Sequence, residues 1–231
     1  MVSLTIIIPV YNETNTIIKI INKIKSIKIS KQIIVVDDFS NDGTRKKLIK
    51  LKSKVDKLIF HDKNLGKGAA IRTAQKYIKG KFVIIQDADL EYDPRDYLKI
   101  IKKLKKKKIK VVYGSRVLGK KRYFLTNFTS INRIFFNHIL TILSNILNKQ
   151  KLTDAHTCYK AFDSKIFKMI KLEEKGFAFC PEITTKISNL NLNIIEVPIF
   201  YNGRNYKEGK KISYLDGIEA VFALIKYKIS K

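Results

Sequence analysis

The sequence predicts an α/β fold in which a mainly parallel sheet is sandwiched by helices, with amphipathic helices toward the C-terminus. Three observations carry this expectation. Short apolar runs of strand length alternate with segments whose isoleucines recur at helical spacing, the order expected of parallel strands joined by crossover helices. Loops rich in Asp, Asn and Gly follow those runs, as they do at the ligand-binding edge of open α/β sheets. Finally, 231 residues at 45% hydrophobic content can bury a sizeable core without disulfides.

Taken in order, strands are expected at Leu4 to Val10, Gln32 to Asp37, Lys57 to Phe60, Lys81 to Gln86 and Val111 to Gly114. Between them Ile17, Ile20, Ile21, Ile24 and Ile27 mark one helix, and Ala69 to Tyr77 and Asp96 to Lys105 mark two more. Later come a long apolar helix from Ile131 to Leu147, a polar stretch through Thr157, shorter elements, and a final helix near Tyr214 to Tyr227. No repeat or low-complexity linker divides the chain, so residues 1–231 are expected to form one domain, with a ligand-binding half at 1–115 and an elaborated half at 116–231.

Cys158 and Cys180 have no metal-binding spacing, which predicts a reduced, cytoplasmic chain. The first strand begins at Leu4 without a basic leader, and no apolar stretch reaches the roughly 20 residues that a membrane span needs. A net charge of +27 raises nucleic acid or an anionic membrane as a partner. The lysines are mostly scattered, and the densest run, Lys102 to Lys108, falls where a helix ends and cations suit its dipole. A nonenzymatic nucleic-acid-binding protein also leaves the acidic strand ends unexplained, so no nucleic-acid partner is expected.

Those strand ends carry the chemistry. Phe82 to Ile85 leads into Gln86-Asp87-Ala88-Asp89, and alternation along an extended chain points both aspartates to one side, where hard oxygens can hold Mg²⁺ or Mn²⁺ against a diphosphate. Asn64-Leu65-Gly66-Lys67-Gly68 either opens a helix whose amides and lysine meet a phosphate or simply makes a tight turn. In Asp37-Asp38-Phe39-Ser40-Asn41-Asp42-Gly43-Thr44 the later residues suit helix capping, and a carboxylate of the acidic pair can accept hydrogen bonds from a nucleobase or ribose.

Together with Pro9-Val10-Tyr11-Asn12-Glu13, these segments in their order and spacing resemble the family 2 glycosyltransferases of GT-A fold, the nucleotide-diphospho-sugar transferase fold. Gly114-Ser115-Arg116, Asp154 to Lys160 and Phe177 to Glu182 resemble the branch containing dolichyl-phosphate mannosyltransferase and other polyprenyl-phosphate glycosyltransferases. The resemblance implies that Pro9, Tyr11, Glu13, Asp38 and Lys67 contact the nucleotide of a sugar nucleotide and that Asp87 and Asp89 hold metal and diphosphate. Glu91, where relatives often carry a glutamine, is implied as a third ligand of the metal. Arg116 matches an acceptor-phosphate arginine, as does Arg133, with Arg122 also available in the loop between them. Asp154 and Glu182 fall near the transferred sugar, and Arg204, Lys210 and Lys211 near the diphosphate.

The implied reaction is inverting, metal-dependent transfer from a UDP- or GDP-hexose to a polyprenyl phosphate. A phosphomonoester, with a second pKa near ~6, is already largely ionised at neutral pH and needs a clamp more than a base. A saccharide hydroxyl acceptor would instead need a base, for which Asp154, His156 and Glu182 are the candidates. The helix from Ile131 and the final helix, each with basic neighbours, allow peripheral contact with an anionic membrane surface, on the cytoplasmic face.

Overall fold

A computed structural model describes residues 2–119, 131–204 and 214–230. Seven strands form one sheet: β1 (Leu4–Val10), β2 (Lys31–Asp37), β3 (Lys57–Phe60), β4 (Phe82–Ile85), β5 (Val111–Ser115), β6 (Lys160–Asp163) and β7 (Ile194–Pro198). Their order is β3-β2-β1-β4-β6-β5-β7. Only β6 runs antiparallel to its neighbours β4 and β5, while the remaining pairs are parallel. The mainly parallel α/β expectation holds, and the second half of the chain extends the sheet begun by the first.

Helices α1 (Ile17–Ser26), α2 (Thr44–Lys50), α3 (Lys67–Gln75) and α4 (Tyr97–Leu104) are the crossovers of the first half. In α1 the buried set Ile17, Ile20, Ile21 and Ile24 repeats at i, i+3, i+4 and i+7, with lysines outward. In α4, Tyr97, Ile100, Ile101 and Leu104 do the same, and of the lysine run behind them Lys102 and Lys105 to Lys108 are exposed. The sequence reading finds no helix at α2 because only Thr44 and Leu48 of its seven residues are buried, too few to show a period. Asp42, one residue before the N-cap Gly43, satisfies the first amide of this helix, its Oδ1 accepting from the Thr44 amide at 3.0 Å and the Thr44 hydroxyl at 2.6 Å.

The second half adds α5 (Ile131–Asn148), α6 (Ser164–Met169), α7 (Phe179–Asn189) and α8 (Tyr214–Ile229). Strand β6 is obscure in sequence because it opens on Lys160, which is fully buried. Its ammonium donates to the Ala155 and Thr157 carbonyls at 2.9 and 2.5 Å and lies 4.5 Å from the Tyr113 ring centre. No helix among the described residues is long and apolar enough to cross a membrane.

The chain leaves β1 for β2 and β3 on one side and returns to β4 on the other, so the loops after β1 and β4 diverge and open a crevice. The segment before α7 closes one wall. A Cβ on Gly66 or Gly68 would lie 2.4 or 2.3 Å from the carbonyls of Lys175 or Glu174, so only glycine lets this segment rest on the start of α3. From the other side Glu182, with no exposed surface, accepts from the amides of Glu173 (2.6 Å) and Glu174 (3.0 Å) and from Lys186 Nζ (2.7 Å). Glu182→Ala should lower unfolding free energy in urea by about 3 kcal/mol, because two part-buried amides lose their acceptor and the half-buried Lys186 ammonium loses one of its own. An unchanged denaturation midpoint would show that this clamp holds nothing.

Candidate active site

The turns after β1 and β2 are laced by side chains. Ser40 Oγ accepts from the Asn12 amide (2.9 Å), Asn12 Oδ1 from the Asn41 amide (2.9 Å), Thr44 Oγ1 from the Glu13 amide (2.9 Å) and Asp42 Oδ2 from the Thr14 amide (3.1 Å). This lacing, more than capping alone, accounts for the polar run from Ser40 to Thr44. Asp37 is buried and ion-paired with Arg45 at 2.8 Å. Asp38 accepts from the amides of Leu65 (2.9 Å) and Gly66 (2.7 Å), and its Oδ1 lies 2.7 Å from His61 Nδ1. Asp38 therefore fixes the glycine loop that leads into α3. His61, 3.0 Å from Thr73 Oγ1 on its other nitrogen, is missing from the sequence reading, and its only signal is its place just past β3.

These loops line a cavity of about 310 Å³ at the C-terminal edge of the sheet. Pro9, Tyr11 and Glu13 come from the end of β1, Asp38 from β2, Lys67 from α3, Asp87, Asp89 and Glu91 from the loop after β4, and Arg204 from beyond β7. The nine residues expected to meet donor or metal thus share one cavity, together with Phe177. Lys210, Lys211 and Arg122 lie outside the described residues.

Charge is crowded here. Four carboxylates, Glu13, Asp87, Asp89 and Glu91, face two cations, Lys67 and Arg204. Lys67 is ion-paired with Asp87 and lies 5.7 Å from the Phe177 ring centre. Burial works against its charge, but the neighbouring groups, Asp87 foremost, together outweigh that and keep the ammonium protonated. Arg204 reaches Glu13 Oε1 at 3.0 Å, Asp89 Oδ2 at 2.9 Å and Glu91 Oε1 at 3.4 Å, and its amide also donates to Glu91 at 3.0 Å. Burial, then the charges of Asp87 and Glu91, push Asp89 up to about 7 against the pull of Arg204. Such a cluster has an electrostatic demand for further positive charge.

Within the cluster Glu91 differs from the two aspartates. Its Oε2 accepts from the Tyr201 hydroxyl at 2.8 Å, and its Oε1 and carbonyl hold the Arg204 and Asn202 amides. Glu91 thus ties the segment after β7 to the loop after β4. Among the described residues, no three His, Cys, Asp or Glu side chains converge as a cation cage.

Arg116, Asp154 and Glu182 do not line the cavity. Arg116 and Asp154 form a bidentate pair, Nε to Oδ2 and Nη2 to Oδ1 each at 2.7 Å, and the Arg116 amide adds a third bond at 3.0 Å. Burial would raise the Asp154 carboxyl, but the charge and hydrogen bonds of Arg116, with the charge of Lys160, together override it and hold the group below the usual range. Glu196 on β7, also missing from the sequence reading, accepts from the amides of Thr153 and Asp154 and fixes this loop. The Arg116 guanidinium lies 5.1 Å from the Tyr201 ring centre, which links the pair to Glu91 and the cavity wall. Burial, then the charge of Lys160, drive His156 down to about 3, so its imidazole is neutral. The backbone of Arg133 lies in the first turn of α5, and its side chain is outside the described residues.

Comparison with known proteins agrees with this geometry. The family described as glycosyl transferase family 2 matches residues 5–170. The chain is 28% identical over 247 residues to a dolichyl-phosphate beta-glucosyltransferase of Trichomonas vaginalis, covering 99% of this chain and 73% of that protein. It is 26% identical over 245 residues to a UDP-N-acetylglucosamine–dolichyl-phosphate N-acetylglucosaminyltransferase of Methanococcus voltae, covering 98% and 96%. In fold it resembles the glucosyl-3-phosphoglycerate synthase of Mycobacterium tuberculosis solved with Mn²⁺, UDP and phosphoglyceric acid, with TM-score 0.73 at 14% identity over 98% of this chain and 78% of that one. A second structure of that synthase gives TM-score 0.74 at 16% identity over 97% and 80%. An open α/β sheet, an acidic cavity at its C-terminal edge and a family match across most of that sheet meet in one conclusion: the chain belongs to glycosyl transferase family 2 and is a glycosyltransferase of GT-A fold.

Proposed function

We propose that this enzyme transfers a sugar, with inversion, from a nucleoside diphosphate sugar to a polyprenyl phosphate at the cytoplasmic face of a membrane. The observation that carries the reading is the convergence of nine residues from separate loops on one acidic cavity. The acceptor is supported by two relatives named for dolichyl phosphate that align over nearly the whole chain.

The residues fit Mg²⁺ or Mn²⁺. Asp87 and Asp89 would hold the ion, with diphosphate oxygens and water completing a shell that Mg²⁺ ordinarily builds from one or two carboxylates and substrate phosphates. The ion would neutralise charge on the departing nucleoside diphosphate. In this reading Glu91 is a positioning group, since its oxygens hold Tyr201 and Arg204. Lys67 supplies a fixed positive charge for the diphosphate. Pro9, Tyr11, Glu13 and the loop pinned by Asp38 flank the nucleotide.

The acceptor phosphate, ionised at neutral pH, attacks the anomeric carbon directly. Its oxygen forms the new bond to that carbon as the bond to the diphosphate oxygen breaks on the opposite face. Arg116, oriented by Asp154, and Arg133 would clamp the phosphate. No base is required, and the residues that a hydroxyl acceptor would need are poorly suited to act as one. Asp154 is held ionised by Arg116, His156 is too acidic to accept a proton readily, and Glu182 is bound by backbone amides.

With UDP- and GDP-sugars, undecaprenyl phosphate and Mg²⁺ or Mn²⁺, a lipid-linked sugar should form, and Asp89→Ala should slow it by about 100-fold or more. Donor turnover without lipid product would redirect the reading to hydroxyl acceptors, and no turnover with any donor would overturn it. Arg133→Ala should cut transfer to the lipid phosphate by about 100-fold with donor affinity unchanged, as expected of a charge that meets only the acceptor. Arg204 is the resident counter-charge of the acid cluster. Arg204→Gln should therefore tighten Mn²⁺ binding by about tenfold without nucleotide, measured by electron paramagnetic resonance of free Mn²⁺.

A further inference from the structure

Two helices of the second half turn large apolar side chains outward, and α5 also turns polar ones inward. The buried side of α5 carries Thr141, Ser144 and Asn148, at 2%, 1% and 1% exposure, beside Ile134. These side chains bond within the protein: Thr141 Oγ1 accepts from the Ala155 amide at 3.3 Å, and Asn148 Nδ2 donates to Thr185 Oγ1 at 3.1 Å. Outward stand Phe135, Phe136, Ile139, Ile142 and Ile146, 45–70% exposed. On α8 the buried positions are Ala220, Ala223, Leu224 and Tyr227, while Leu215, Ile218, Phe222, Ile225 and Ile229 are 43–78% exposed. Positions 135, 139, 142 and 146, and 215, 218, 222, 225 and 229, follow steps of three and four, so each set forms one stripe along its helix. The two helices pack on each other and on α7.

Apolar surface on this scale is costly in water and marks an interaction face. We infer that α5 and α8 lie together on an anionic lipid surface, their apolar stripes entering the headgroup boundary. Charge selects lipid over a second copy of the chain. Joining two chains of net charge +27 adds repulsion, whereas anionic headgroups remove it. Helix α5 contains no acidic residue, and Lys149 at its end is exposed. On α8 the acids Asp216 and Glu219 lie in the N-terminal half, and Lys226 and Lys228 occupy its last turn. Thr141 and Asn145 of α5 also bond the Leu152 to Ala155 segment that carries Asp154. Docking through α5 would thus bring the Asp154 segment, and the Arg116 paired with it, toward the depth of a lipid phosphate. The purpose of the face rests on the polyprenyl-phosphate reading, but its test does not.

The test is cosedimentation with vesicles of phosphatidylcholine alone or with about a third phosphatidylglycerol, free of polyprenyl phosphate. Wild type should bind the anionic vesicles, and Ile146→Asp and Phe222→Asp, at the exposed positions of 70% and 69%, should each weaken partition by about tenfold. Leu98→Asp, on exposed α4 surface elsewhere, should bind as wild type does. Wild type remaining in the supernatant, or stripe variants binding undiminished, would overturn the inference. So would a wild-type dimer in sedimentation velocity that both variants convert to monomer, because a second copy would then cover the face. With a short, water-soluble prenyl phosphate the stripe variants should turn over at the wild-type rate, and a loss there would assign the face to the active site instead. Vesicle binding as described but no transfer to any prenyl phosphate would leave the face standing and remove the acceptor reading alone.

Discussion

Repulsion among the carboxylates of Glu13, Asp87, Asp89 and Glu91 is the constraint around which the rest of the molecule is arranged. Bringing four acids to one partly buried cavity is unfavourable unless positive charge comes with them. The fold supplies it from two remote places. Lys67 stands at the start of α3, on the far side of the crevice, and Arg204 comes from beyond the last strand. The charge balance of the cavity therefore depends on the docking of both segments. Conversely, the acids help to hold those segments where they are.

The site is built in tiers of hydrogen bonds, with few direct contacts between candidate functional groups. Asp38 pins the glycine loop, the glycine loop admits the segment before α7, and Glu182 clamps that segment from behind. Glu196 fixes the loop of Asp154, Asp154 orients Arg116, and the Tyr201 ring beside Arg116 leads through its hydroxyl to Glu91. Asp154, Glu182 and Glu91, acids that stand out in the sequence, thus each hold backbone amides and neighbouring side chains in the fold. A buried carboxylate surrounded by backbone amides holds its geometry well and makes a poor proton acceptor.

The inside-out character of α5 belongs to the same logic. A helix that turns its hydroxyls and amides inward can bond the loops around Asp154, and its apolar side chains are then left facing out. Water tolerates that arrangement poorly and a bilayer accepts it, so in the proposed reading one helix serves both the Asp154 loop and a lipid surface.

The sequence by itself determined the α/β class, strands β1 to β5 and helices α1, α3 and α4 to within a residue or two, and the loops that meet at the cavity. It could do so because strand and helix periods and strand-end acids are local properties, legible wherever apolar and polar positions alternate cleanly. Only the tertiary structure decided the rest. The bidentate pairing of Arg116 with Asp154, the clamps made by Glu182 and Glu196, and the neighbour of His61 join residues that lie about 10 to 45 positions apart. Spacing carries no trace of such partners. Nor does it say which side of α5 faces in, since apolar residues surround most of that helix and its buried side is chosen by bonds to Ala155 and Thr185. Local pattern sets secondary structure, whereas the direction of a side chain is set by the partner it meets after folding.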